Sequence, residues 1–433
     1  MKLASRIGVV VLGALLALLA LVGILPLPRG TPVRMVIALG DHDGPPPVTD
    51  SLFARTLELY TGVHIEPGNR VEELLNGNGT YPRLWRDIAS ARQTLTVQMY
   101  YALPSGVADT MQKYLMERAR AKVRVLLLLD AFGSQDLKED WRDSLRAAGV
   151  QVGILRKLRW YSLHNASDRS HVRAVVVDGR IGYTGGFGLA DYWLGDGRTD
   201  GHWRETNVRF EGPAVAQLQS AFAAGWAEAN GELLTGDLFF PRPTFTQPAG
   251  TAQAGLLFTA PTSGSTPAER FLALSIAGAR KTLYIANSYF VPDDDFRELL
   301  VHAAQRGVDV RVLTAGEKTD VTTTWYAGRA RYEELLKAGI RIYEYIPTMM
   351  HAKTMVVDTL WSTIGSMNFD NRSLAFNNES NLVMLDGTVG AQLHRSFLED
   401  LRFSKEIRLD EFRRRPWTMK MKERGASLLS RVL

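Results

Sequence analysis

Much of this chain is written twice, and that repetition restricts its fold more than any other feature. Ala91-Arg92-Gln93-Thr94-Leu95-Thr96-Val97 is matched by Ala279-Arg280-Lys281-Thr282-Leu283-Tyr284-Ile285, and Val123-Arg124-Val125-Leu126-Leu127 by Val308-Asp309-Val310-Arg311-Val312. Leu145–Val150, ending Ala-Gly-Val, parallels Leu336–Ile340, ending Ala-Gly-Ile. His171 and His351 keep the same order at an offset of 180 residues, the size of a domain. Within each copy, runs such as Val123–Leu129 and Ala174–Asp178 read as buried strands. Val107–Ala121 and Asp295–Gln305 carry the spacing of amphipathic helices. The expected fold is α/β: two similar halves, each a mixed β-sheet flanked by helices, packed as a pseudo-dimer. A chain of 433 residues gives each half enough length for its own core.

The ends of the chain differ from this repeat. Lys2 and Arg6 precede an uncharged run from Ile7 to Leu25 that Pro26 closes. Its nineteen residues, at ~1.5 Å each, span about 28 Å as a helix, close to the hydrocarbon thickness of a bilayer. A secretory signal peptide is the competing reading, but its small-x-small cleavage site is missing. Residues 1–28 are therefore expected to be a single-pass transmembrane helix. Lys2, Arg6 and the free amine favour the outer or periplasmic side for the rest of the chain, against the opposing pull of Arg29 and Arg34. Residues 29–50, with three consecutive prolines after Gly44, read as a linker. The halves are then assigned to 51–234 and 267–410, with a Pro/Thr/Gly/Ser-rich connector at 235–266. In 411–433, Arg413, Arg414, Arg415, Lys420, Lys422 and Arg424 interleave with Phe412, Trp417, Met419, Leu428 and Leu429. This tail is either a solvated helix or a basic amphipathic surface for the same membrane. A net charge of +5 suits anionic lipids or phosphates without requiring them. The absence of Cys excludes disulfides, thiolate metal sites and a Cys nucleophile.

The chemistry concentrates in the second copy. His351-Ala352-Lys353 precedes Thr354-Met355-Val356-Val357, a strand pattern that ends in Asp358. Residues two apart on a strand face one side, so an imidazole nucleophile and an ammonium share a cleft. Gly365-Ser366-Met367-Asn368 supplies small and hydrogen-bonding groups beside it, and Asn377-Asn378-Glu379 a late carboxylate. A lone His before a strand is ordinarily structural, but no packing requirement explains this whole set at these intervals.

This string resembles the second catalytic motif of the phospholipase D superfamily: HxK, then D, then GSxN and a later E. Tyr289-Phe290-Val291-Pro292, Ile342-Tyr343-Glu344-Tyr345, Asn371-Arg372-Ser373-Leu374 and Asn377–Leu382 resemble, more narrowly, bacterial cardiolipin synthases. The resemblance runs from Gly68-Asn69-Arg70-Val71-Glu72 to the tail. In the first copy the pattern reads His171-Val172-Arg173, Asp178-Gly179 and Gly185-Gly186-Phe187-Gly188, with Trp203-Arg204-Glu205 behind it. Arg173 stands where the family has Lys, and Gly188 where it has Asn. Arg keeps the charge and grips phosphate with a wider fork. Gly188 loses an amide.

The resemblance implies phosphatidyl transfer in two steps through a phosphatidyl-histidine. His171 is the usual nucleophile and His351 the acid and base, although the cleaner motif around His351 leaves the exchanged assignment open. Arg173 and Lys353, with Ser366, Asn368 and Gly186 beside the phosphate, would steady its oxygens. Glu205 would orient His351 and Glu379 would orient His171. Asp178 and Asp358 complete the motifs, as catalytic residues or as braces for their own strands. No cofactor or metal is implied. The substrates would be phospholipids, two phosphatidylglycerols giving cardiolipin and glycerol, or one with another phospholipid. The same site read as a hydrolase would be a phospholipase D. A nuclease would suit the basic charge, but the anchor and tail argue against nucleic acid; a remnant with a decayed first half is the non-enzymatic alternative. The membrane would be the bacterial inner membrane, and the oligomeric state is left open. Tyr100-Tyr101 and Tyr289-Phe290 end strand-like runs, where they either line the cleft or pack the core. His42, His64, His164, His202, His302 and His394 lack partners at informative spacing.

Overall fold

Continuous apolar runs lie at the centre of the fold, as strands covered on both faces require. The protein is described here by a computed structural model covering residues 33–37, 45–157, 168–242, 248–261 and 265–430, with a few positions between 8 and 17. The first half contributes β1 (Glu66–Leu75), β2 (Thr94–Met99), β3 (Arg124–Asp130), β4 (Gln151–Leu155), β5 (Arg169–Ser170), β6 (Ala174–Val177), β7 (Ile181–Gly185) and β8 (Thr206–Glu211). The second contributes β9 (Ala252–Thr259), β10 (Thr282–Asn287), β11 (Asp309–Ala315), β12 (Arg341–Tyr345), β13 (Lys353–Val357), β14 (Trp361–Gly365), β15 (Asn377–Leu385) and β16 (Ser404–Ile407).

All belong to one sheet with the order β16-β12-β11-β10-β13-β14-β15-β9-β1-β8-β7-β6-β2-β3-β4, and β5 pairs with β15 off this path. Read outward from the middle, each half repeats the same sequence of strands, so a pseudo-twofold axis passes between β9 and β1. Those two strands meet antiparallel, Glu66 opposite Ala254 and Asn69 opposite Ala252. Within each half, β2-β3-β4 and β10-β11-β12 run parallel and the remaining neighbours antiparallel. The α/β expectation of two mixed-sheet halves is met. β16 is an extra edge on β12.

Local signals fix the helices. Thr266 and Glu269 form a reciprocal capping box ahead of Pro267–Gly278, an arrangement worth about 1 kcal/mol. Gly231, at φ 72°, ends Ala214–Asn230 in the left-handed conformation that a residue without Cβ tolerates. The helices expected at 107–121 and 295–305 are found at Gly106–Arg120 and Asp294–Gln305.

Each half has an apolar core of its own, and a third cluster joins them, with Val172, Val208 and Phe210 from one side and Leu256, Tyr284, Ile364 and Leu382 from the other. The stretch 235–266, expected as a connector, carries β9 and with it half of the central seam. The tail forms helices Leu409–Arg413 and Trp417–Ser427 against Thr322–Lys337, and Phe412 enters the second core. Among the described residues no helix is long and apolar enough to cross a membrane; the expected span from Ile7 to Leu25 lies largely outside those residues.

Candidate active site

The two histidines are held by the opposite halves. His171 follows β5, and its N–H donates to Asn378 O at 2.8 Å; His351 precedes β13, and its N–H donates to Arg204 O at 2.7 Å. In each case the acceptor is the residue before the other half's late carboxylate. The side chains repeat the crossing. His171 Nδ1 lies 3.2 Å from both carboxylate oxygens of Glu379. His351 Nδ1 lies 2.5 Å from Glu205 Oε2. Occupying Nδ1 leaves Nε2 of each ring for chemistry.

Two buried cations accompany them. Lys353 Nζ donates to His351 O at 2.5 Å and lies 3.0 Å from both nitrogens of that ring, off the line of either lone pair. Arg173 Nη1 donates to His171 O at 2.7 Å. Its guanidinium lies over the Tyr100 ring at 5.4 Å, and its Nε has no acceptor among the described residues. Arg and Lys thus serve the same carbonyl position in the two halves.

The surrounding cavity, of about 430 Å³, has two unlike walls. Tyr100, Tyr101, Trp193 and Trp203 form an aromatic wall from the first half. The second half presents Tyr289, Asp320, Asn368, Asp370, Arg372, Ser373 and Asn377. Of the aromatic pairs singled out in the sequence, Phe290 alone turns away, into the core against Phe369. His64, His202, His302 and His394 do not line the cavity, and His42 and His164 lie outside the described residues.

Burial sets the electrostatics. It pulls the His171 imidazole down to about 4, helped by the Arg173 charge. It also holds His351 well below its ordinary value, with Lys353 adding to the effect. Lys353 itself is brought down to about 7 by desolvation. The carboxylates diverge. Glu205 is pushed up to about 7 by burial. Burial acts on Glu379 too, but the His171 contact and the hydroxyl of Ser366, 2.6 Å from Oε2, hold it below the usual range.

Not every expected residue joins the site. The Asp178 carboxylate accepts from the backbone N–H groups of Arg92, Gln93 and Thr94. The Asp358 carboxylate accepts from those of Arg280, Lys281 and Thr282. Both stand at the far ends of β6 and β13, with φ of 52° and 51°. They tie each strand to the start of its neighbour and do not line the cavity, the placement expected of braces rather than of catalytic residues. Asn368 faces the cavity, whereas Ser366 and Gly186 stand behind it against the carboxylates. Sequence reasoning missed Trp193, Asp320 and Arg372. Of these only Arg372 lay in a segment already noted, Asn371-Arg372-Ser373-Leu374.

The description "Cardiolipin synthase, PLD-like domain" fits residues 84–226 and 272–401 of this chain. The chain belongs to the cardiolipin synthase family of phospholipase D-like proteins. It is 34% identical over 362 residues to a cardiolipin synthase of Geobacillus kaustophilus, covering 83% of this chain and 72% of that protein. With cardiolipin synthase A of Pseudomonas syringae pv. syringae the identity is 31% over 415 residues, covering 92% and 84%. The phosphatidylserine synthase of Haemophilus influenzae shares the fold with a TM-score of 0.65 at 11% identity, covering 88% of this chain and 100% of that one. A polyphosphate kinase from Porphyromonas gingivalis shares it more distantly, at a TM-score of 0.53 and 12% identity over 79% of this chain and 49% of the other.

Proposed function

We propose that this enzyme transfers a phosphatidyl group from one phosphatidylglycerol to another, or to a second phospholipid, releasing glycerol and forming cardiolipin. The crossed His–Glu pairs carry this reading, because they fix two imidazoles through Nδ1, with unlike partners, in one cavity. Glu379 stays ionised and fixes His171 as a neutral imidazole, which suits a nucleophile. Glu205 holds a proton more readily, so the Glu205–His351 pair suits an acid.

In the first step His171 Nε2 attacks phosphorus, the bond to the glycerol oxygen breaks, and His351 protonates that oxygen. In the second, His351 removes the proton of the incoming hydroxyl, whose oxygen displaces His171. Arg173 and Lys353 balance the charge on the phosphoryl oxygens, with Asn368 beside them. Hydrolysis differs only in admitting water, and the names of the relatives weigh against it as the main activity.

The membrane placement belongs to the same proposal: residues 1–28 span the bilayer, and the tail lies on its surface. Trp417, Met421 and Leu428 are 74%, 57% and 83% exposed on one face of the last helix, while Glu423, 1% exposed, turns inward to Arg329 and Arg415. Such an inverted helix, flanked by Lys420 and Arg424, suits anionic lipid.

The full chain in phosphatidylglycerol micelles is expected to release glycerol and form cardiolipin, with His351→Ala abolishing both. Phosphatidic acid without cardiolipin would make it a hydrolase, and cleavage of DNA with lipids untouched would sink the lipid reading.

A further inference from the structure

The pseudo-twofold axis makes each half a control for the other, and one position breaks the match in a compensated way. In the second half Ser366 Oγ donates to Glu379 Oε2 at 2.6 Å. The corresponding residue of the first half is Gly186, which has no hydroxyl to offer Glu205. Instead the indole Nε1 of Trp193 reaches Glu205 Oε2 at 3.4 Å. Trp193 stands where the second half has Ser373.

Space explains the glycines. A Cβ on Gly186 would collide with the Glu205 carboxylate, and one on Gly188 would lie 2.6 Å from the Trp193 ring. An amide at 188, as at Asn368, therefore has no room while the indole is there. The indole is itself fixed: it is 2% exposed, and its ring packs edge-on to Tyr101 at 5.6 Å, Trp203 at 5.0 Å and His351 at 5.5 Å. We infer that Trp193 is a positioning residue for the Glu205–His351 pair, its indole N–H replacing the serine hydroxyl, that Gly188 is the clearance the indole needs, and that Gly186 is the clearance of the carboxylate it holds. The first half is rewired around an aromatic donor rather than decayed.

This inference rests on His351 acting with Glu205, but not on which lipid is used. The charged and titratable groups around Glu205 are His351, Lys353, Arg173, Arg204 and the Tyr81 phenol. None of these changes in Trp193→Phe, which keeps a ring in place and removes only the donor. A carboxylate that loses a donor holds its proton to higher pH. Because the Glu205–His351 pair acts as the acid, in Trp193→Phe the basic limb of kcat should move up by about one pH unit, and kcat should fall about ten-fold. KM should be unchanged.

The assay follows alcohol release from phosphatidylglycerol and from a soluble phosphodiester. A wild-type enzyme that cleaves the soluble diester but makes no cardiolipin sinks the substrate reading alone. An active wild-type enzyme whose pH profile and kcat are unaltered in folded Trp193→Phe overturns the inference. A second measurement needs no turnover: the downfield proton resonance of the His351 Nδ1–H should shift in Trp193→Phe, and an unmoved resonance counts against the role. If Trp193→Phe does not fold, Gly186→Ser/Gly188→Asn/Trp193→Ser transplants the second half's set. Activity above that of Trp193→Ser alone supports the exchange of donors, and activity no higher overturns it.

Discussion

Arg173 and Lys353 perform one task with two chemistries, and the structure says how far they are interchangeable. Each donates to the carbonyl of the histidine two residues before it. A lysine at 173 reaches that carbonyl as Lys353 does, but loses the stacking on Tyr100. Arg173→Lys should retain transfer within about ten-fold, whereas Arg173→Ala should lose more than about a hundred-fold in kcat, read from steady-state cardiolipin formation. The histidine and lysine shifts give a pH profile. His171 is neutral and nucleophilic above about 4, and Lys353 keeps its charge below about 7. For the free enzyme kcat/KM should thus rise as pH passes the first value and fall as it passes the second. A basic limb that appears only far into the alkaline range would show that Lys353 keeps its proton. At this scale the histidines, their cations and the crossed carboxylates were legible, because the resemblance carried roles residue by residue. Trp193 and Asp320 were not, since an aromatic in a single helical turn or an acid in a loop has no spacing signature. Whether Asp178 and Asp358 act in the chemistry or brace their strands stayed open, because sequence adjacency to the motif says nothing of where their carboxylates point.

Those two aspartates matter at the scale of elements. Each gathers backbone N–H groups from three successive residues at the start of β2 or β10, in a left-handed turn. Alanine there leaves the donors unanswered and adds strain at positive φ. Asp178→Ala and Asp358→Ala should each cost about 2–4 kcal/mol of stability, seen as a lower denaturant midpoint. The folded fraction should keep near-normal kcat; a specific loss of kcat at unchanged stability would return the residue to the chemistry. Helices and buried strands were read well at this scale because capping residues and apolar runs are local. β9 was hidden. Its small residues Ala252, Ala254 and Gly255 weaken the strand signal, yet smallness is what the seam needs, since a Cβ at Gly255 would strike the His64 backbone. The Pro- and Thr-rich flanks then made the whole stretch look like a connector.

At the scale of the whole molecule, one sheet and one shared apolar cluster make the halves a single unit. Each histidine needs the other half for both its backbone partner and its carboxylate. Equal mixtures of His171→Ala and His351→Ala chains should therefore remain inactive in the cardiolipin assay, because neither chain holds a complete site. Recovered activity would mean that halves exchange between chains. The repeat announced this pairing in the sequence, but the axis between β1 and β9 was not visible there, since pairing across a seam leaves no periodic mark.

The cross-bracing also bears on synthesis. The first half leaves the ribosome before the second, beside the phospholipids it is proposed to attack. At that stage His171 lacks Glu379, the Asn378 carbonyl and the opposing imidazole, all supplied by residues not yet made. A chain that stops before β15 therefore lacks the partners of His171, and the site is complete only when that strand has docked.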